Sequence, residues 1–163
     1  GHGVEIEPSA VLATIRRGVP VDAVDIAELL PTLPDRAYDV VVVSQTLQAM
    51  WLPDEVLRQV ARVGRSCIVS VPNFGLWRHR LSLLVTGRMP VSRELPHHWY
   101  ETPNIHLSTL ADIEALFDEL GLAVARRVLL APSRRRMRGE RAANLRAGSA
   151  IYLLTPEDGT GHP

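Results

Sequence analysis

The chain has 163 residues, 46% of them hydrophobic, and its 18 arginines balance 18 acidic residues. This length suits one compact domain over residues 1–163, and the even charge balance argues against a highly charged disordered chain. The absence of lysine excludes a lysine Schiff base or a phosphate-loop lysine. The single cysteine, Cys67, excludes an intrachain disulfide, and we therefore expect a protein of the reducing cytoplasm.

The chain alternates strand-like and helix-like segments. Apolar runs predict strands at residues 3–7, 19–24, 38–43, 67–71, 122–130 and 150–154. Apolar residues at helical spacing predict helices from Pro8 to Gly18, from Pro53 to Gly64, over 78–86 and from Thr109 to Gly121. The unbroken run 38–43 is typical of a parallel strand covered on both faces. The alternation, ending in two adjacent strands, predicts an α/β three-layer sandwich with a mostly parallel sheet.

Polar residues follow three of the predicted strands, at the sheet edge where ligands of such folds bind. They are Glu5 with Ile6, Asp25 with Ile26, and Ser44, Gln45 and Thr46. A carboxylate at Glu5 can accept hydrogen bonds from both hydroxyls of a ribose, or it can favour the start of the next helix. Asp25 can accept one from an adenine amino group while Ile26 packs on the ring, or it can cap a helix. The residues at 44–46 can line the same cleft or cap the next turn.

The segment from Phe74 to His106 concentrates aromatic residues, histidines and arginines. One interpretation is a lid or an acceptor pocket, whose substrate-facing groups and catalytic candidates would be Asn73, Tyr100 and His106. The alternative is a protein-binding surface, because exposed aromatic residues and arginines are typical interface anchors. The arginines in question are Arg78, Arg80 and Arg88.

Two further expectations concern the same segment. We expect Trp77 and Trp99 to anchor it to the sheet. A metal site built from His97, His98 and Glu101 is disfavoured because adjacent histidines on an extended loop point apart, so no metal is expected.

Charge is distributed unevenly along the chain. Residues 1–55 carry nine acidic residues and three arginines, whereas residues 126–146 carry eight arginines and one acid, Glu140. We predict that the arginine segment 134–146 is a solvated connection between the last two strands, with an acidic partner as the second interpretation. Nucleic acid ranks last, because no aromatic residue is interleaved with these arginines to stack on bases.

A family resemblance is carried by the segments GVEIEP, DVVVVSQTLQ, VGRSCIVSVPNFGLWRHRLSLLVTGRMPVS and LPHHWYETPNIHLST. From Gly3 to about Leu130 the chain resembles the MetW family of methionine biosynthesis proteins, which is related to class I S-adenosylmethionine-dependent methyltransferases. The resemblance implies the Rossmann-like fold of that class, with S-adenosylmethionine or S-adenosylhomocysteine as cofactor. It implies Glu5 and Ile6 at the ribose, Asp25 and Ile26 at the adenine, and Ser44, Gln45 and Thr46 beside the methionine part.

One part of the family pattern has no counterpart in this sequence. The family begins with a strand and a GxGxG loop that occupy the centre of the sheet, and this sequence starts after them. We therefore expect a domain without its first strand and glycine-rich loop, in which the neighbouring strands lack their shared partner. For the same reason we expect competent cofactor binding to require that strand and loop.

The resemblance also implies a function in methionine biosynthesis. It implies support of homoserine O-acyltransferase, through contact with that enzyme. An active S-adenosylmethionine-dependent small-molecule methyltransferase, with residues 99–106 as acceptor lid, is the first alternative, and an RNA-binding module through 134–146 is the second. A homodimer is left open, and no membrane partner is expected, because no apolar run approaches the roughly 20 residues of a membrane span.

Overall fold

The computed structural model describes residues 1–156, so residues 157–163 of the predicted domain lie outside the described part. The strands are β1 (Gly3–Val4), β2 (Val21–Asp22), β3 (Tyr38–Ser44), β4 (Gly64–Pro72), β5 (Leu122–Leu130) and β6 (Ser149–Pro156). The helices are α1 (Pro8–Arg16), α2 (Ile26–Leu29), α3 (Pro53–Val63), α4 (Trp77–Thr86), α5 (Leu110–Glu119) and α6 (Ala143–Arg146). The predicted α/β alternation is confirmed, although the first two strands are two residues long instead of five or six.

The strands form two sheets. β1 pairs with β2 in parallel, and the second sheet has the order β3-β4-β6-β5. β3 and β4 are parallel, whereas β6 is antiparallel to both β4 and β5. Three of the four strands in the second sheet, β3, β4 and β5, therefore point the same way. This confirms the mostly parallel sheet and places the carboxyl ends of these three strands together.

The core lies around β4 and β6. Tyr152 and Phe117 are fully buried, and their rings meet edge to face at 5.1 Å. The apolar face of α3 is buried as its spacing predicts, and Gly64 ends this helix. A Cβ on Gly64 would lie 2.9 Å from a Val41 methyl group, so glycine is required where α3 turns into β4.

Two apolar faces lie uncovered among the described residues. On β3, Val40 is 48% and Val42 is 62% exposed, so the prediction that this strand is covered on both faces is wrong for residues 1–156. On α1, Leu12 and Ile15 are more than half exposed. β1 and β3 each pair along one edge, and no described strand joins the two sheets. This arrangement is the one expected when the shared central strand is not among the described residues. None of the described helices has the length and apolar character needed to cross a membrane.

A capping box begins α5, as the Thr109–Asp112 spacing indicates. The Thr109 hydroxyl accepts a hydrogen bond from the Asp112 N–H at 3.3 Å, and the Asp112 carboxylate accepts one from the Thr109 N–H at 2.8 Å. These bonds to Thr109 hold the pKa of Asp112 below its ordinary value of 3.8. The carboxylate therefore stabilises the fold above that pH, and the stabilisation is lost as the pH falls through the lower, folded-state pKa.

We expect Thr109→Ala to lower the free energy of unfolding by about 1 kcal/mol, because the N-cap acceptor is lost. Urea denaturation at pH 7 measures this change. Thr32→Ala is the matched control, since Thr32 is exposed and its hydroxyl donates to the Leu29 carbonyl without capping a helix N-terminus. We also expect the Asp112→Asn variant to lose less stability than the wild type as the pH falls below about 4, because the variant has no carboxylate to protonate at this position. Equal midpoints for Thr109→Ala and wild type would contradict the stabilising role of the box.

Candidate functional site

The turn after β3 presents polar groups at the carboxyl edge of the four-stranded sheet. Gln45 has a left-handed backbone (φ 52°), and its N–H donates to the Ser70 carbonyl at 3.0 Å. The Ser44 hydroxyl lies 3.3 Å from that of Ser70, and the Thr46 hydroxyl donates to the Ser44 carbonyl at 3.0 Å. All three residues of 44–46 are exposed. A left-handed conformation is costly for a non-glycine residue, and such conformations cluster at ligand sites.

Both predicted carboxylates, Glu5 and Asp25, accept hydrogen bonds from nearby backbone N–H groups. One Glu5 oxygen accepts the N–H groups of Ile6 and Glu7 at 2.9 and 3.0 Å. Asp25 is the N-cap of α2 and accepts the Ala27 N–H at 2.8 Å, so the capping alternative is what the structure contains. Each carboxylate uses one oxygen in these bonds. Roles at a ribose or an adenine stay predictions.

The two aliphatic partners differ in their surroundings. Ile6 is 67% exposed, whereas Ile26 is half-buried and packs against the core. Ile6 is therefore free to pack on a planar ligand, while Ile26 already contributes to the stability of the fold.

Asn73 lies at the end of β4 and is completely buried. Its amide donates to the carbonyls of Asn144 and Ala147 at 3.0 and 2.8 Å. Its oxygen accepts the N–H groups of Gly75 and Leu110 at 2.9 and 3.3 Å. The side chain is thus used entirely in joining three segments of backbone. In this structure Asn73 positions those segments, and a role at a substrate stays a prediction.

Residues 97–106, which we call the aromatic loop, lie beside the turn after β3. The N–H groups of Ile105 and His106 both donate to the Gln48 carbonyl at 2.9 Å. Tyr100 is 66% exposed and its ring stacks on His98 at 5.5 Å. The structure therefore brings residues 105–106 next to the Gln45–Gln48 turn, while it gives Asn73, Tyr100 and His106 no hydrogen bond or ring contact with one another. Their shared role in an acceptor pocket stays a prediction.

The predicted anchoring of two tryptophans is wrong. Trp99 is 73% exposed and meets the Tyr100 ring edge to face at 5.6 Å, and Trp77 is 49% exposed. The sequence shows that these side chains are large and apolar, but the described part of the chain offers no surface that covers them. Exposed tryptophans of this kind are characteristic of interaction surfaces.

Gln48 is a candidate site residue that the sequence analysis did not identify. It is 8% exposed, and its amide nitrogen donates to the Gln45 carbonyl at 2.7 Å. Its side-chain oxygen is buried with no hydrogen-bond partner among residues 1–156. A buried acceptor without a partner is costly and calls for an explanation such as a ligand or water. Its spacing of three residues from Gln45 was the available signal, but such spacing is common in turns.

Helix α4 presents one apolar face to solvent, which we call the α4 face. It consists of Trp77, Leu81, Leu84 and Val85, which are 49%, 47%, 84% and 71% exposed. Within α4 the buried residue is His79. Residues 77–93 contain four arginines and no acidic residue, and the Arg78 guanidinium lies 5.5 Å from the centre of the Trp77 ring. The α4 face is therefore an apolar stripe with basic flanks.

The arginine segment is exposed as predicted. Its side chains at 134–136, 138 and 141 are exposed, and none forms an ion pair with a described residue. Arg127 differs, because it pairs with Glu114 at 2.6 Å and with Glu140 at 2.9 Å. The Tyr152 hydroxyl also donates to Glu114, at 2.8 Å. Across residues 1–156 no group of three or more histidine, cysteine or acidic side chains is placed to hold a metal ion.

Comparisons with known proteins agree with the resemblance read from the sequence. Residues 1–154 match the model of a family described as "Methionine biosynthesis protein MetW". The chain is 33% identical over 158 residues to the "Bifunctional methionine biosynthesis protein MetXA/MetW" of Rhodopirellula baltica. The match covers 96% of this chain and 25% of that relative, so the chain spans about a quarter of the relative's length.

Solved structures share the fold at low sequence identity. An S-adenosylmethionine-dependent methyltransferase from Thermotoga maritima superposes with a TM-score of 0.66 at 16% identity, covering 95% of this chain and 72% of that one. The magnesium protoporphyrin IX methyltransferase of Synechocystis PCC 6803, solved with bound SAH, gives 0.62 at 16% identity over 94% and 63%. The [4+2]-cyclase SpnF gives 0.62 at 19% identity over 97% and 67%. These likenesses establish the methyltransferase fold, and the cyclase illustrates that one fold serves different reactions.

Proposed function

Since this chain belongs to the methionine biosynthesis protein MetW family, we propose that it supports a homoserine O-acyltransferase by binding to that enzyme. The bifunctional relative from Rhodopirellula baltica supports the proposal, because it carries MetXA and MetW in one polypeptide. Proteins that act together are held at high local concentration by such a fusion. We also propose a cytoplasmic location, which the free, buried Cys67 supports.

The observation that carries this proposal is the exposed α4 face. Four large apolar side chains at helical spacing lie in solvent on one side of a ten-residue helix. Burying them against a partner would be favourable by roughly 25 cal/mol for each Å² of apolar surface removed from water. The flanking Arg80 and Arg88, both exposed, would select a partner that surrounds its apolar surface with carboxylates.

Co-elution of the two purified proteins tests the association. We expect a mixture of this protein and the homoserine O-acyltransferase of the same organism to elute from a size-exclusion column as one complex at micromolar concentration. Each protein run alone gives its own oligomeric state, and this also answers whether the chain forms a homodimer. Two separate peaks from the mixture, at concentrations up to about 100 μM, would contradict the proposal.

A second candidate function is transfer of a methyl group from S-adenosylmethionine to a small acceptor. The exposed polar turn at 44–46 and the unpaired Gln48 oxygen favour it, because both lie where the aromatic loop meets the carboxyl edge of the sheet. In this reading the cofactor, when bound, supplies the reactive methyl group. Glu5 and Asp25 would hold its ribose and adenine, with Ile6 and Ile26 beside them, and Ser44, Gln45 and Thr46 would lie beside its methionine part.

This second function depends on the free edges of β1 and β3. We propose that the fold's first strand and glycine-rich loop belong between them, because both edges are unpaired among the described residues and Val42 is exposed beside one. Calorimetric titration with S-adenosylmethionine and S-adenosylhomocysteine measures binding. Methyl turnover that falls in His106→Ala and Tyr100→Phe would favour the enzyme. Turnover that is absent with every acceptor, while the acyltransferase complex forms, would favour the accessory protein.

A further inference from the structure

A cleft lies beside α4, near the end of β5. It has a volume of about 550 Å³ and lies between α4, residues 90–94 and the turn 132–133 that follows β5. None of the residues that line it is among the predicted cofactor residues. The cleft is therefore distinct from the predicted cofactor positions. Its volume falls in the range of pockets that bind small molecules.

The cleft contains unpaired charges of both signs. Arg78 and Arg93 line it and are exposed, and neither forms an ion pair with a residue of 1–156. Glu94 also lines it, is half-buried, and likewise forms no ion pair within the described part. The cleft therefore holds two guanidinium groups and one carboxylate that do not pair with one another. Such a set is complementary to a ligand that carries both an anionic and a cationic group.

A hydrogen-bond network holds the carboxylate of Glu94 in place. The Ser92 hydroxyl donates to Glu94 at 3.0 Å and lies 3.0 Å from Nε2 of His79. The same hydroxyl oxygen accepts the N–H groups of Glu94 and Leu95, both at 3.2 Å. His79 is 1% exposed, so the network has a rigid base. Charged groups fixed in this way before a ligand arrives lose little conformational entropy on binding.

The rest of the cleft lining is mostly apolar. Its apolar residues are Leu76, Pro90, Val91 and Pro132. The cleft thus combines sites for an anion and a cation with apolar walls that suit a hydrocarbon or thioether side chain.

We propose that this cleft binds a free α-amino acid with an apolar side chain. Arg78 and Arg93 bind the carboxylate, and Glu94, whose carboxylate accepts from the Ser92 hydroxyl, binds the ammonium group. The side chain packs against Pro90 and Val91. This site would let the protein respond to the concentration of an amino acid whether or not it binds an acyltransferase.

Titration calorimetry of the whole chain with L-methionine, L-leucine and L-valine tests the proposal. Two analogues of methionine separate its charged groups: 4-(methylthio)butanoate lacks the amine, and 3-(methylthio)propylamine lacks the carboxylate. We expect at least one of the three amino acids to bind. If methionine binds, both analogues should bind at least ten-fold more weakly, and analogues of leucine or valine made in the same way serve if one of those binds instead.

Variants assign the binding to the cleft. We expect Arg93→Gln and Glu94→Gln each to raise the dissociation constant at least ten-fold, since each removes one charge and keeps a hydrogen-bonding amide. Arg135→Gln is the matched control, because Arg135 is exposed in the arginine segment outside the cleft, and it should leave the constant unchanged. Three outcomes would overturn the proposal: no binding of any of the three amino acids at 10 mM, equal binding of the amine-free acid, or unchanged binding by both cleft variants.

Discussion

Replacement of Asn73 by alanine is expected to lower the free energy of unfolding by about 3 kcal/mol. The substitution removes four hydrogen bonds. The Asn144 and Ala147 carbonyls and the Gly75 N–H lose this partner, at about 1–3 kcal/mol each before relaxation, whereas the Leu110 N–H keeps a bond to the Asn144 side chain at 3.1 Å. Relaxation and solvent entry recover part of that sum, so we expect the free energy of unfolding to fall by about the cost of one or two unpaired groups. The reason is the position of Asn73, which joins the end of β4 to the start of α5 and to the segment before β6.

Urea denaturation followed by circular dichroism measures this loss. Asn104→Ala is the matched control, because Asn104 lies in the aromatic loop, is half-buried, and its side chain makes no hydrogen bond with a described residue. The control should change the free energy of unfolding by less than about 0.5 kcal/mol. Equal losses for the two variants would show that the Asn73 bonds are not what connects these segments.

Substitutions on the α4 face are expected to abolish tight binding to the acyltransferase. Trp77→Ala should raise the dissociation constant roughly 30-fold, because truncation of an interface tryptophan commonly costs about 2 kcal/mol. Leu84→Asp should have an equal or larger effect, since it would bury a carboxylate in an apolar contact. Both side chains are exposed in the free protein, so the fold should tolerate the changes.

Biolayer interferometry with the immobilised acyltransferase measures these constants. Leu12→Asp is the matched control, because Leu12 is an exposed leucine on a different helix, α1. It should bind within two-fold of wild type. If Leu84→Asp and Leu12→Asp bind equally well, the partner contacts another surface.

The sequence was most informative where local signals act alone. Helix α3 begins at Pro53 and ends before Gly64, and the apolar residues at helical spacing within it are buried as expected. Thr109 and Asp112 form the predicted capping box. These features depend on residues within one or two turns of each other. The exposure of Trp77 and Val42 could not be predicted in the same way, because burial depends on which distant segment, if any, lies opposite.

The same distinction applies to the candidate sites. The sequence placed residues 44–46 at the carboxyl end of β3, as the structure has them, since a strand and the turn after it are adjacent in sequence, and their role at a cofactor stays a prediction. The structural role of Asn73 was not predictable, because its hydrogen-bond partners lie up to 74 residues away in the sequence. The Ser92 link to His79 spans 13 residues through an irregular loop, and no periodic pattern encodes such a loop.

The rate of homoserine acylation tests the central claim most directly. It is measured with the purified acyltransferase alone, with wild-type protein in excess, and with the Leu84→Asp variant in excess, each without S-adenosylmethionine. We predict that the wild type changes the rate at least two-fold and that the variant leaves it at the value of the acyltransferase alone. A rate that is the same in all three reactions would contradict the proposal that this protein supports the acyltransferase through the α4 face.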